Sequence, residues 1–171
     1  MAYDAKAIAN RFLDIAEKEG VSITPMKLQK LIFFAHGWNY GLYDEPLIVD
    51  PIQAWQFGPV IPSVYHEFKH VGSGAITDRA TEFDLENFEL AVPRVPDEDK
   101  RSLNLIQRVW KTYGRRPAVD LSNLTHVHDS PWHKTWSRNE GARDAVISDT
   151  LIRDHYKALV QKNKKAAAEN A

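Results

Sequence analysis

Residues 24–43 read TPMKLQKLIFFAHGWNYGLY, and how that stretch must be buried decides the fold. Thr24 is a favourable N-cap, and Pro25 suits the first helical turn, where its missing N–H costs nothing. Leu28, Leu31, Ile32, Ala35, Trp38 and Leu42 recur at spacings of three and four, which sets them on one helical face. The other side is not polar either. Phe33, Phe34 and Tyr40 lie there, with only Lys27, Gln29, Lys30 and His36 between them. A helix that is apolar around most of its circumference must be enclosed by other elements. Gly37 would cost about 1 kcal/mol against alanine in an exposed helix, and it reads as a point of close helix packing. The pattern predicts a mainly α, compact single-domain fold around a central buried helix.

Composition bounds the function. A chain of 171 residues, 43% of them hydrophobic, can bury about two-thirds of its unfolded surface. Its core needs neither metal nor disulfide. Cysteine is absent, which removes thiolate catalysis, disulfides and cysteine-based zinc sites. No run approaches the roughly 20 apolar residues of a bilayer span. The first residues carry neither a basic nor an apolar leader segment, so a cytoplasmic protein without a membrane partner is expected. A formal net charge of −1 argues against direct nucleic-acid binding, which needs a basic excess.

The elements on either side follow from the same grammar. Residues 5–19 form an amphipathic helix capped by Asp4, striped by Ile8, Phe12, Ile15 and Ala16, and stopped by Gly20. Residues 44–62 are rich in proline, with two short apolar runs, 47–49 and 52–57, expected as strands of a small β-hairpin or an extended arm. Pro62 opens a short helix bearing Val64, Tyr65 and Phe68. Residues 71–96 read as an acidic surface excursion with a short strand, tied to the body by Phe83, Leu85, Phe88 and Leu90. A second long helix is expected over 97–113, with Asp97, Glu98 and Asp99 at the favourable end of its dipole. Pro117 begins a short helix with Ala118, Leu121 and Leu124 inward, and Ser130-Pro131 begins another. Ser148 or Asp149 caps the last helix, striped by Leu151, Ile152, His155, Tyr156, Leu159 and Val160. Residues 1–160 are thus one domain, and 161–171 a flexible tail that frays.

Few constellations carry chemistry. His66, Glu67 and His70 spell HEFKH, which matches the H-E-x-x-H pattern of zinc hydrolases. That pattern needs a long buried helix and a third ligand, and this segment is short and ends at Val71-Gly72. His126, His128 and His133, with Asp129, form a second histidine cluster, but three or four convergent ligands are required for a metal. There is no G-x-S-x-G elbow, and the turn at Gly72-Ser73-Gly74 lacks the lysine of a phosphate loop. No cofactor is expected.

Taken together, the residues resemble the Panacea domain, the SocA-type antitoxin family that is also met in phage-associated proteins. The features that carry the resemblance are Lys27 to Leu31, Gly37-Trp38, Pro46-Leu47, Ala54-Trp55, Gly58-Pro59-Val60 and Tyr65, then Tyr113-Gly114, Leu121, Leu124, Thr125-His126 and Pro131-Trp132. The family has an acidic residue where His128 stands and varies over HEFKH, which weakens both metal readings. The resemblance implies a non-enzymatic antitoxin that neutralises a cognate toxin protein by direct binding. In one branch the antitoxin is a proteolytic adaptor that delivers its toxin to a AAA+ protease. The alternatives are a zinc-dependent hydrolase using HEFKH and a phage or host regulatory adaptor with a non-toxic client.

The expected partner-binding residues are Trp55, Phe57, Gly58, Pro59, Val60 and Tyr65. Large aromatics on a stiff Pro/Gly backbone are favoured interface anchors. A strand exposed over 52–57 could also accept a partner strand. Ala166–Ala168 and Ala171 loosely resemble a protease-recognition tag, with a solubilising end as the plainer reading.

Overall fold

The computed structural model describes residues 1–142 and 144–170. Among them lie seven α-helices and two separate two-stranded antiparallel sheets. Helix α1 spans Ala5–Glu19 and α2 spans Pro25–Tyr43. Strands β1 (Gln53–Trp55) and β2 (Gly58–Val60) follow, then α3 (Pro62–Phe68) and a single 3₁₀ turn at Lys69–Val71. Strands β3 (Glu82–Asp84) and β4 (Glu89–Ala91) precede α4 (Lys100–Tyr113), α5 (Ala118–Thr125), α6 (Pro131–Arg138) and α7 (Asp149–Glu169).

Helix α2 is the axis, as its sequence predicts. The Thr24 hydroxyl accepts from the N–H of Lys27 (3.3 Å), and Leu28, Leu31, Ile32 and Ala35 are fully buried. It packs against α1, α3, α4, α5 and α7. Its closest neighbour is α7, and glycine is the reason. A Cβ on Gly37 would stand 2.2 Å from the Tyr156 ring, and one on Gly41 would stand 2.8 Å from the Tyr156 carbonyl oxygen. The two small residues, one turn apart, let the α7 backbone approach.

Several elements differ from the sequence expectation. The second long helix begins at Lys100, not at residue 97, because Asp99 takes the cap by accepting from the N–H of Ser102 (3.0 Å). Residues 47–49 form no strand of a hairpin. Instead Tyr3 bridges to Ile48, through bonds from Tyr3 N–H to Leu47 O (2.8 Å) and from Val49 N–H to Tyr3 O (2.9 Å). The hairpin lies wholly within 53–60, with Ala54 opposite Pro59. Leu124, expected inward, is 40% exposed.

The acidic excursion holds a complete hairpin, with Phe83 opposite Leu90. Its apolar residues do not tie it to the body: Phe83, Leu85, Phe88 and Leu90 are 51%, 76%, 80% and 68% exposed. Polar groups hold it instead, as described below. The last helix continues to Glu169, and every described residue past Val160 is exposed. Ala171 lies outside the described residues.

Candidate partner-binding site

The arm between α2 and α3, residues 44–61, owes its shape to polar side chains of α2. These are the residues that interrupt the apolar helix. Asn39 donates to Glu45 O (2.7 Å). His36 is fully buried, and its Nδ1 accepts from the N–H groups of Leu47 (3.2 Å) and Ile48 (3.3 Å). That acceptor role places the ring proton on Nε2, which faces Asp149 Oδ1 at 3.2 Å. This contact, with burial opposing it, holds the Asp149 carboxyl below the usual carboxylate range. Gln29 takes both backbone groups of Ile61, donating to its O (3.2 Å) and accepting from its N–H (2.7 Å).

Lys30 is the unusual member. It is 1% exposed, and its Nζ donates to Pro59 O (3.1 Å). Burial lowers its pKa to about 7, because the charged ammonium is poorly solvated there. Gly58 lies beside it at φ 115, and a Cβ there would meet Thr125 Oγ1 at 2.8 Å and Lys30 Cε at 2.9 Å. Glycine is therefore demanded by both backbone and space.

The tip of the arm is held from the other side by α5 and α6. Trp132 Nε1 donates to Trp55 O (2.6 Å). His126 Nε2 lies 3.0 Å from Gln56 O, and the Ser122 hydroxyl donates to Phe57 O (2.5 Å). Three successive carbonyls are thus captured. The outer edge of β1 is also occupied: Ala54 N–H donates to Ala145 O (2.8 Å) and Ile147 N–H to Ile52 O (2.7 Å). The expectation that this strand could accept a partner strand fails for that reason, since its edge is already paired within the chain.

The residues singled out from sequence divide into two groups. Phe57 is 61% exposed at the turn. Trp55 and Tyr65 are half-buried, and their rings meet edge-to-face at 4.7 Å. Gly58, Pro59 and Val60 are buried, so they set the arm's position and present none of their side chains broadly to solvent. Gln29, Lys30 and His36 were absent from the expected site. Their signal was present as polar residues on a helix that has no polar face.

The histidine clusters resolve differently. His66 and His70 are exposed, and His70 lies beyond α3 in the 3₁₀ turn. Glu67 accepts from the N–H of Thr81 (2.9 Å) and pairs with Lys6 (3.4 Å), so its carboxylate is committed to structure. The second cluster does converge: ligand atoms of His128, Asp129 and His133 lie within 4.8 Å of one another. His133 Nδ1, however, already accepts from the Asp129 N–H (3.2 Å). Its other nitrogen then carries the ring proton and offers no lone pair. His126 lies at the C-terminal end of α5, with Nδ1 2.5 Å from Ser122 O and Nε2 3.0 Å from Gln56 O of the arm.

A groove of about 560 Å³ lies between α2, α4 and α7, floored by Trp38, Leu42, Val109 and Val160 and edged by Arg108 and Lys164. No helix is long and apolar enough to cross a membrane among the described residues.

Comparison with known proteins bears on these features. The family model described as "Antitoxin SocA-like, Panacea domain" matches residues 28–133, from the first turn of α2 into α6. Both hairpins fall inside that span. The protein named Antitoxin SocA from Caulobacter vibrioides (strain NA1000 / CB15N) is 38% identical over 158 residues, covering 90% of this chain and 82% of that protein. No solved structure matches the chain significantly.

Proposed function

Because the chain belongs to the SocA-like antitoxin family defined by the Panacea domain, we propose that it is an antitoxin of the cytoplasm that neutralises a cognate toxin by binding it directly. The observation that carries this reading is the pinned arm. Trp55 and Phe57 stand on backbone whose carbonyls are captured by α2, α5 and α6, and Tyr65 of α3 packs its ring on Trp55. A rigidly held aromatic loses little freedom on binding, so more of its contact energy appears as affinity. Gly58, Pro59 and Val60 serve this surface by fixing it. The protein catalyses nothing in this reading, and the HEFKH segment is occupied structurally by Glu67.

Co-expression tests it. The product of the adjacent reading frame should arrest growth alone and be tolerated with this protein, and the two should co-purify. A harmless neighbour would overturn the antitoxin reading in favour of a regulatory adaptor with a non-toxic client.

The finer reading, that the protein hands its toxin to a AAA+ protease, draws on the end of α7. That end is helical and exposed throughout its described residues past Val160, and so open to another protein. In that case the toxin's half-life shortens when this protein is present and recovers when the protease is deleted.

A further inference from the structure

The β3–β4 hairpin combines two features that stability alone does not explain. Its base is fastened with care, and its apolar side chains point away from the body. Asn10 is fully buried in α1 and satisfies three backbone groups there. It donates to Ala80 O (3.0 Å) and Pro93 O (2.9 Å) and accepts from the Ala80 N–H (2.7 Å). Lys6 donates to Thr81 O (3.0 Å) and pairs with Glu82 (2.8 Å). Arg79 and Arg94, the nearest cations on either side, both turn back to Asp14. Beyond this base Phe83, Leu85, Phe88 and Leu90 are each at least half exposed. Phe83 and Leu90 are cross-strand partners, so they share a face, and the Phe88 ring meets Phe83 edge-on at 5.8 Å.

Phe88 sits at φ 53, in the left-handed region where glycine or asparagine would be relaxed. A bulky ring is kept in a costly conformation and in water. Exposed apolar patches of this kind mark interaction sites. The charge around the patch identifies what fits. Residues 80–93 contain Glu82, Asp84, Glu86 and Glu89 and no lysine or arginine. Glu82 is bound to Lys6, and Asp84 holds the turn by accepting from the Glu86 and Asn87 N–H groups and from the Asn87 amide. Glu86 in the turn and Glu89, which pairs with Asp84 on the face opposite Phe83 and Leu90, carry the remaining negative charge of a segment without a basic residue. Among the described residues no third strand pairs with this sheet, which leaves room for strand addition.

We propose that the β3–β4 hairpin is a docking blade for a segment of the toxin that alternates apolar residues with lysine or arginine. The apolar side chains of the added strand cover Phe83, Phe88 and Leu90 on one face, and its basic ones answer Glu86 and Glu89 on the other side. This rests on the antitoxin reading and adds a second contact surface to the arm, one whose charge selects the partner. Helix α3 connects the two surfaces, since Tyr65 packs on Trp55 and Glu67 binds Thr81.

The test uses the full-length protein and, as probe, the purified product of the adjacent growth-arresting reading frame. Two double variants are compared, Phe83→Ser with Phe88→Ser, and Glu86→Lys with Glu89→Lys. All four side chains are exposed, so thermal melts should match the parent. Toxin affinity should fall about tenfold or more in each, and the charge variant should lose the parent's weakening by salt. Parent-like affinity in both variants overturns the blade while the antitoxin reading stands. A parent that does not bind the toxin at all overturns both. A parent dimer that dissociates in the serine variant, with toxin affinity unchanged, assigns the face to a second copy and overturns the proposal. If the serine variant melts early, the charge variant decides alone.

Discussion

Two hairpins of equal size share this chain, each a pair of three-residue strands, and they are used in opposite ways. The β1–β2 arm is drawn into the core. Ala54 is fully buried and Val60 is 7% exposed, and side chains from α2, α5 and α6 hold its carbonyls. The β3–β4 hairpin is held at its root, by Lys6 and Asn10 of α1 and Glu67 of α3, while its apolar residues face water. Apolar content does not separate them. What separates them is how far along the backbone the buried polar partners reach. The first hairpin is therefore part of the fold's stability, and the second is a presented surface.

The largest effect should come from releasing the first arm. Gln29→Leu leaves both the N–H and the C=O of buried Ile61 without partners. At about 1–3 kcal/mol for each orphaned group, global stability should fall by roughly 3–5 kcal/mol in urea unfolding. A loss below about 1 kcal/mol would mean the arm is not integral to the core.

Next in size is the pH dependence carried by Lys30. Its ammonium loses its proton at about 7 when folded, whereas the unfolded chain keeps it to about 10.4. Between those values the unfolded state binds more protons, so stability rises with pH. From about pH 7 to 9.5 the gain should be about 3 kcal/mol. Tyr3 and Tyr40 are raised to about 12 by burial, aided by Asp99 and Asp149. Their contribution is lost above about pH 10, so the measurement stops below it. Lys30→Met should flatten most of this slope. Persistence of the full slope would place the titration elsewhere.

The contrast between the hairpins also explains how much the sequence disclosed. Helix α2 was legible because burial on all sides leaves a local trace in every turn, and Gly37 was readable as close packing for the same reason. The arm's location was legible from its prolines. Its fastening was not, because lysine is almost never fully buried and histidine is only intermediate in burial, and only the fold shows Lys30 and His36 reaching backbone. The pairing of β1 with residues 145–147 has no local signal at all; it joins segments about ninety residues apart, a separation over which sequence pattern is silent. The second hairpin misled for a sharper reason. Phe83, Leu85, Phe88 and Leu90 look like anchors under the rule that apolar residues lie inside, and that rule fails where a surface is kept for a partner. The start of α4 missed by three residues because Asp97, Glu98 and Asp99 are all acceptable at a helix N-terminus.

A smaller effect than either should follow from Asn10→Ala. It frees Ala80 and Pro93 at the hairpin's root, yet those groups can reach water by local opening. The expected loss is about 2 kcal/mol. Amide exchange over residues 80–93 should accelerate well before that of α2. Equal acceleration in both would show the second hairpin to be as deeply integrated as the first.

The smallest effect sharpens what exposure means. The end of α7 is as open to water as the β3–β4 hairpin, but it carries lysines and alanines in place of aromatics. Its described residues past Val160 are all exposed, and alanine and lysine favour helix without needing to be packed. Ending the chain after Val160 should change unfolding stability by less than about 0.5 kcal/mol and leave toxin affinity at the parent value. The serine variant at Phe83 and Phe88 should match it in stability and differ in affinity alone. A truncation that abolished binding would mean that the contrast between hairpins is incomplete, and that an exposed polar helix serves recognition as well.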